Sequence, residues 1–183
     1  AICFYPADLA DYVGGSITSV RFFPREENCD YTIRLWTGDT PSMVYEQAVP
    51  SPVIHEWNEV TLNASLTITS NMTLWIGYLA ETQAGFPVGC DNGPMVYDRG
   101  AWIRINGGAW EQLTDNNPDL DYNWNIQGYV AAPEGVTLPP WQPIALDRDD
   151  ILSGYVLFHG LAPDDVTDQL GVVTDPQQLT WTD

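Results

Sequence analysis

Apolar and polar residues alternate along this chain with a period of two far more often than with a helical period. Ser16-Ile17-Thr18-Ser19-Val20-Arg21-Phe22-Phe23 reads as a strand stopped by Pro24. Tyr31, Ile33 and Leu35 alternate with Thr32, Arg34 and Trp36, and Thr37-Gly38-Asp39 follows as a turn. Met43 to Val49 forms a further run closed by Pro50, and Trp57 to Leu62 another. Thr73 to Leu79 (TLWIGYL) is apolar on both faces, as a central strand of a sandwich must be. Ala101–Ile105 and Ala109–Leu113 flank Asn106-Gly107-Gly108, a loop with glycine available for positive φ, so a hairpin is expected. A last clean alternation sets Trp124, Ile126 and Val130 against Asn123, Asn125 and Gln127.

Strands recurring at this spacing, with turn signals between them, predict an all-β antiparallel sandwich of jelly-roll type. One short helix is expected, over Pro6 to Val13, where proline and early acids suit a helix start and Gly14-Gly15 ends it. The sandwich module is placed at residues 1–132 and a Pro-rich linker at 133–143. Residues 144–183 follow, a two-strand segment too short to build its own core. Within it Tyr155, Val156, Leu157 and Phe158 form the strongest strand. Its open edges need a partner, either on the 1–132 sandwich or on a neighbouring copy.

Composition sharpens this picture. Eight Trp and nine Tyr accompany fifteen Gly and fourteen Pro, a mixture for short strands and tight turns. Six Lys+Arg, all of them arginine, stand against 25 Asp+Glu, a formal net charge of −19. A cationic footprint for phosphate cannot be assembled, which excludes nucleic-acid binding, and docking on an anionic membrane fails for the same reason. No apolar run is long enough to span a bilayer as a helix. The chain opens on Ala1-Ile2-Cys3 without a leader pattern and is read as a mature or excised segment.

The strings PADLADYVGGSITSVRFFP, CDYTIRLWTGDTPSMVYEQAV, WNEVTL, LWIGYLAETQAGFPVGCDNGP and DYNWNIQGYVAAP carry a resemblance. Together, over residues 2–132, they resemble a module that recurs in large secreted surface proteins of Bacteroidetes and related bacteria, similar to substrates of type IX secretion. Residues 144–183 (LDRDDILSGYVLFHGL…LTWTD) look like the opening of a fibronectin type III-like domain. The resemblance implies an extracellular or cell-surface location and a structural or adhesive role, and it brings no catalytic chemistry. In that setting Cys29 and Cys90, both inside module motifs, are expected to bridge, leaving Cys3 free or paired with another chain. Three buried thiols are the alternative.

Catalysis finds little support. His55 and His159 lie in different regions, no H-E-x-x-H, G-x-S-x-G or phosphate-cradling glycine loop occurs, and lysine chemistry is ruled out by the absence of lysine. Acid pairs such as Glu26/Glu27 are expected by chance among so many carboxylates. Asp115, Asn117, Asp119 and Asp121 place oxygen ligands at alternate positions, a spacing that can offer several to one Ca²⁺; an Asx-rich turn explains the same string. Trp102, Trp110 and Tyr97, around the proposed hairpin, are the candidates for stacking on sugars, although burial of tryptophan in the core is the commoner fate. The reading is therefore a non-enzymatic extracellular structural or adhesion module, self-associating or docked on neighbouring domains. One form of it is a filament subunit assembled by strand exchange. A carbohydrate-binding module or an accessory domain of a secreted hydrolase is the alternative.

Overall fold

The computed structural model describes residues 1–82 and 85–132, and the backbone alone of residues 157–159. In chain order come β1 (Ile2–Phe4), a 3₁₀ turn (Ala10–Tyr12), β2 (Ser16–Phe22), β3 (Cys29–Thr37) and β4 (Ser42–Val49). Next are β5 (Asn58–Thr67), β6 (Leu74–Thr82), β7 (Trp102–Ile103), β8 (Glu111–Gln112), a single-turn helix α1 (Leu113–Asn116), β9 (Ile126–Ala131) and β10 (Leu157–His159). Two four-stranded sheets result, with strand orders β1-β6-β3-β4 (sheet A) and β10-β9-β2-β5 (sheet B), plus the small β7-β8 hairpin. The chain crosses between the sheets at every connection from β1 to β6 except β3–β4, which stay paired in sheet A, and every pairing is antiparallel except β9 with β10. The all-β sandwich expected from the alternation is the fold observed.

The core fills the space between the sheets. Sheet A contributes Ile2, Phe4, Leu74, Ile76, Tyr31, Ile33 and Leu35, and sheet B contributes Ile17, Val20, Phe22, Leu62, Ile126 and Val130, all buried. Ile17 and Val20 are three positions apart, so a regular strand would send them to opposite faces. The register of β2 shifts between Ile17 and Ser19 against both of its neighbours, and this bulge turns both side chains inward. A second bulge, between Leu35 and Trp36 in the β3–β4 ladder, leaves Val44 as the extra residue.

Between Ser42 and Val49 the inner face of β4 is polar as well as apolar, and those polar groups close the sandwich side. Asn63 N–H of β5 donates to the Tyr45 hydroxyl at 2.8 Å and to Gln47 Oε1 at 2.9 Å, while Gln47 Nε2 donates to Thr61 O at 3.1 Å. Side chains of one sheet thus satisfy the outer backbone edge of the other, which would otherwise invite a foreign strand.

Some elements depart from the alternation. The helix expected over Pro6–Val13 is reduced to the three-residue 3₁₀ turn, and the Asp8 carboxylate accepts from Tyr5 N–H at 2.7 Å. β5 runs on to Thr67, beyond the expected Leu62. β1 was not anticipated, since three residues are too few to display a period. The linker 133–143, Tyr155 and Val156 lie outside the described residues. The backbone of Leu157 and Phe158 pairs in parallel with Gly128 and Tyr129 of the same chain.

Phe22 is fully buried and its ring lies 5.7 Å from that of Tyr31 and 4.9 Å from that of Tyr78, whereas Phe86 is 79% exposed. Phe22→Ala is expected to cost about 3–5 kcal/mol in a denaturant titration. Phe86→Ala should stay within about 0.5 kcal/mol of the parent. Equal losses at the two positions would contradict the assigned core.

Candidate functional site

The outward face of sheet A is apolar at its β1–β6–β3 end. Cys3 pairs with Trp75, and Trp75 with Trp36, so these three side chains form one row across the sheet. Water is kept from the row by the β7–β8 hairpin. Trp102 lies 4.9 Å from Trp75, and Trp110 lies 5.6 Å from Trp75 and 5.2 Å from Trp36, mostly in edge-to-face geometry. Such pairs contribute about 0.5–1.5 kcal/mol each beyond their burial. Two of the three candidate sugar-stacking residues are therefore brought together as the cover of a second core. Tyr97 makes no ring pairing among the described residues and is 64% exposed. The layer is not fully satisfied: the indole N–H groups of Trp102 and Trp110, and Nε2 of Gln112, are buried with no hydrogen-bond partner.

The module motifs GFPVGCDNGP and DYNWNIQG meet in space. The Asp91 carboxylate accepts from Gly93 N–H at 2.8 Å, Asn123 N–H at 2.8 Å and Asn123 Nδ2 at 2.9 Å. Asn123, fully buried, also donates to Pro94 O at 3.0 Å and accepts from Val96 N–H at 2.7 Å. Nothing larger than a hydrogen fits at Gly93, where a Cβ would stand 1.9 Å from the Asp121 carbonyl oxygen. Motif residues that look like chemistry thus clamp one loop to the next. In the sequence Asn123 reads only as one face of a strand.

The candidate calcium string is divided among local tasks. Asp115 lies in α1, Asn117 Oδ1 accepts from Asp119 N–H at 3.1 Å in an Asx turn, and Asp121 Oδ1 accepts from Met95 N–H at 2.7 Å. Among the described residues no group of three His, Cys, Asp or Glu side chains is placed to hold a metal ion.

The cysteines correct the expected bridge: Cys3, Cys29 and Cys90 are all free thiols. Cys29, at the start of β3, points its sulfur at the Asp30 carbonyl, and Cys90 is fixed by a backbone bridge to Trp124. The hydroxyls of Tyr31 and Tyr78 occupy the same end of the sandwich. The Tyr31 hydroxyl bonds the Glu26 and Pro87 carbonyls at 3.1 and 3.2 Å, and the Tyr78 hydroxyl reaches the Phe23 carbonyl at 3.5 Å. Burial pushes the Cys3 thiol up to about 12, against the opposing pull of the Arg99 charge. Cys29 and Cys90 are also raised, again chiefly by burial. Beside Cys3, Arg99 stacks 3.9 Å above the Tyr5 ring, pairs with Asp8 at 3.1 Å and lies 3.4 Å from Asp98, which accepts from the Tyr5 hydroxyl. This cluster ties the first turn of the chain to the cover of sheet A.

One concave feature stands apart from these packed groups. A cleft of about 560 Å³ opens where β4 ends, lined by Glu27, Cys29, Asp30, Val49, Pro50, Ser51, Pro52 and Ile54. The sequence carried no signal for it, because its walls come from segments that are remote along the chain. Compared with family models, curated proteins and solved structures, the chain matches none. Among the described residues no helix is long and apolar enough to cross a membrane.

Two measurements follow. Asp91→Ala strands buried donors and should cost about 2–4 kcal/mol. Asp119→Ala should stay within about 0.5 kcal/mol, with and without EDTA; chelator sensitivity that vanishes in Asp119→Ala would restore calcium to the loop. Thiol ionisation gives a pH dependence. Above the ordinary thiol value of 9 the unfolded chain releases protons that folded Cys3 retains up to about 12. The contribution of Cys3 is therefore fully present below pH 9 and is lost as pH rises through that window. A melting temperature flat from pH 8 to 11 would contradict the assignment, as would alkylation of Cys3 in the native state at pH 8.

Proposed function

We propose that this chain is a non-enzymatic structural and adhesion module of an extracellular or surface-exposed protein. The observation that carries the reading is the Asp91–Asn123 clamp, together with the tryptophan cover. The residues most distinctive in the sequence are committed to holding loops onto sheet A, as in a module built to be rigid. The large negative charge suits a solvated outer surface. In its assembled form the module acts as a subunit whose Tyr155–Phe158 strand exchanges between copies, the sheet edge at β9 being where Leu157 and Phe158 pair within one chain.

A carbohydrate-binding role is the second reading. It is favoured by the half-buried rings of Trp102 and Trp110 and by the exposed ring of Tyr97, which offer stacking faces.

Deleting residues 144–183 from the intact chain and comparing sedimentation tests the first reading. Polymers that persist after deletion would defeat strand exchange; conversion to monomers that melt cooperatively supports it. A glycan array tests the second. A signal on the parent that falls at least tenfold in Trp110→Ala, with an unchanged circular dichroism spectrum, is the outcome it requires.

A further inference from the structure

Four strands end the two sheets, β1 and β4 in sheet A and β5 and β10 in sheet B. Beside β1 runs the 99–102 segment, with Cys3 N–H donating to Arg99 O and Trp102 N–H to Ala1 O at 2.9 and 3.0 Å. The middle of β5 is closed by the Tyr45 and Gln47 side chains, and β9 pairs with β10. Beyond β4, among the described residues, no backbone partner is present. The bulge at Val44 bends the start of this strand, so the regular open stretch is Tyr45–Val49, with neither proline nor lysine to blunt it. Its one charge, Glu46, is paired with Arg34 at 3.4 Å.

At Val49 the open edge reaches the cleft. Two exposed carboxylates, Glu27 and Asp30, share its lining with the apolar walls of Val49, Pro50, Pro52 and Ile54, and no arginine is among them. Neither carboxylate forms an ion pair among the described residues. An apolar stem ending in a positive charge matches such a lining: the stem lies along the prolines and the head meets the carboxylates.

We propose that Tyr45–Val49 is an acceptor edge for an extended, basic segment of another protein, which adds to sheet A as a new strand and seats a lysine or arginine side chain in the cleft. Main-chain hydrogen bonds would supply affinity, and the cleft specificity. The lining itself holds no cation; this chain has no lysine, and Arg21, Arg34, Arg99 and Arg104 are engaged with Tyr129, Glu46, Asp8 and the Gly107 and Gly108 carbonyls. The inference rests on the adhesion reading and gives it a class of partner; it is independent of strand exchange through residues 144–183.

The probe is a short synthetic peptide of alternating Thr and Val carrying two lysines, labelled and titrated into the intact chain, with a glutamate-for-lysine peptide as control. The lysine peptide is expected to bind, more weakly as salt rises, and to slow amide exchange at Tyr45–Val49. Glu27→Gln with Asp30→Asn should weaken it at least tenfold while leaving the melting temperature unchanged. The idea is overturned by no binding, by equal binding of the glutamate peptide, by indifference to the double variant, or by protection elsewhere than β4. Protection of β4 by self-association alone would assign the edge to a second copy and overturn it too. Failure here with strand exchange intact would remove the partner without touching the assembly, so the two ideas fail separately.

Discussion

Sheet A has to be buried on both faces, and most of the rest of the molecule is arranged around that need. Its inner face meets sheet B, as in any sandwich. Its outer face carries the Cys3–Trp75–Trp36 row, which a solvent-facing sheet would not tolerate. The segment from 85 to 125, with few long strands of its own, supplies the cover. It is held there by backbone bonds at Arg99, Trp102 and Leu113, by Trp124 N–H on Gly100 O, and by the Asp91–Asn123 clamp. A loop region fixed at so many points has little freedom to open over a ligand without exposing the rings of Trp36 and Trp75.

The scarcity of cations has a structural consequence. Each partnered arginine is spent on a position that fixes packing. Arg99 sits between Tyr5, Asp8 and Asp98, Arg21 lies 5.4 Å over Trp57 and donates to Tyr129, and Arg104 closes its own hairpin on two carbonyls. Few cations are left over to neutralise the surface carboxylates, so the external field stays negative. That field favours approach of basic partners and disfavours copies meeting face to face, in a salt-dependent way.

Much of this was legible in the chain. The both-faces-apolar string TLWIGYL correctly marked β6 as a central strand, because burial on two sides leaves no polar phase in the pattern. The Asn106-Gly107-Gly108 turn was equally plain, with Asn106 and Gly107 both at positive φ. What escaped was non-local. The Asp91–Asn123 bonds join residues 32 positions apart, and an Asp beside a glycine turn reads equally well as a metal ligand or a backbone acceptor. The D-x-N-x-D-x-D spacing offered oxygens at alternate positions, but a one-turn helix at Leu113–Asn116 puts its first member out of phase with the rest. Spacing likewise cannot measure the distance between two cysteines, and the tyrosine hydroxyls that share the end of the sandwich with Cys29 and Cys90 are invisible to it.

How such a module meets other molecules is then decided largely by its edges. At the β1–β6–β3 end the outer face of sheet A is used up by its own cover, and the inner faces are sealed in the core. A strand edge is different, because its unpaired N–H and C=O groups accept any sequence that can extend, at the same repeat along the strand. Main-chain pairing alone is therefore indiscriminate, and selectivity needs a side-chain pocket in register with the edge. β4 combines the two: among the described residues its backbone has no partner beyond the Val44 bulge, and it ends at a cleft whose two carboxylates form no ion pair. The β5 edge shows the opposite solution in the same molecule. There Tyr45 and Gln47, projecting from the very strand whose own edge is open, occupy the groups that a foreign strand would use. One strand thus closes one side of the sandwich with its side chains while leaving its main chain available on the other.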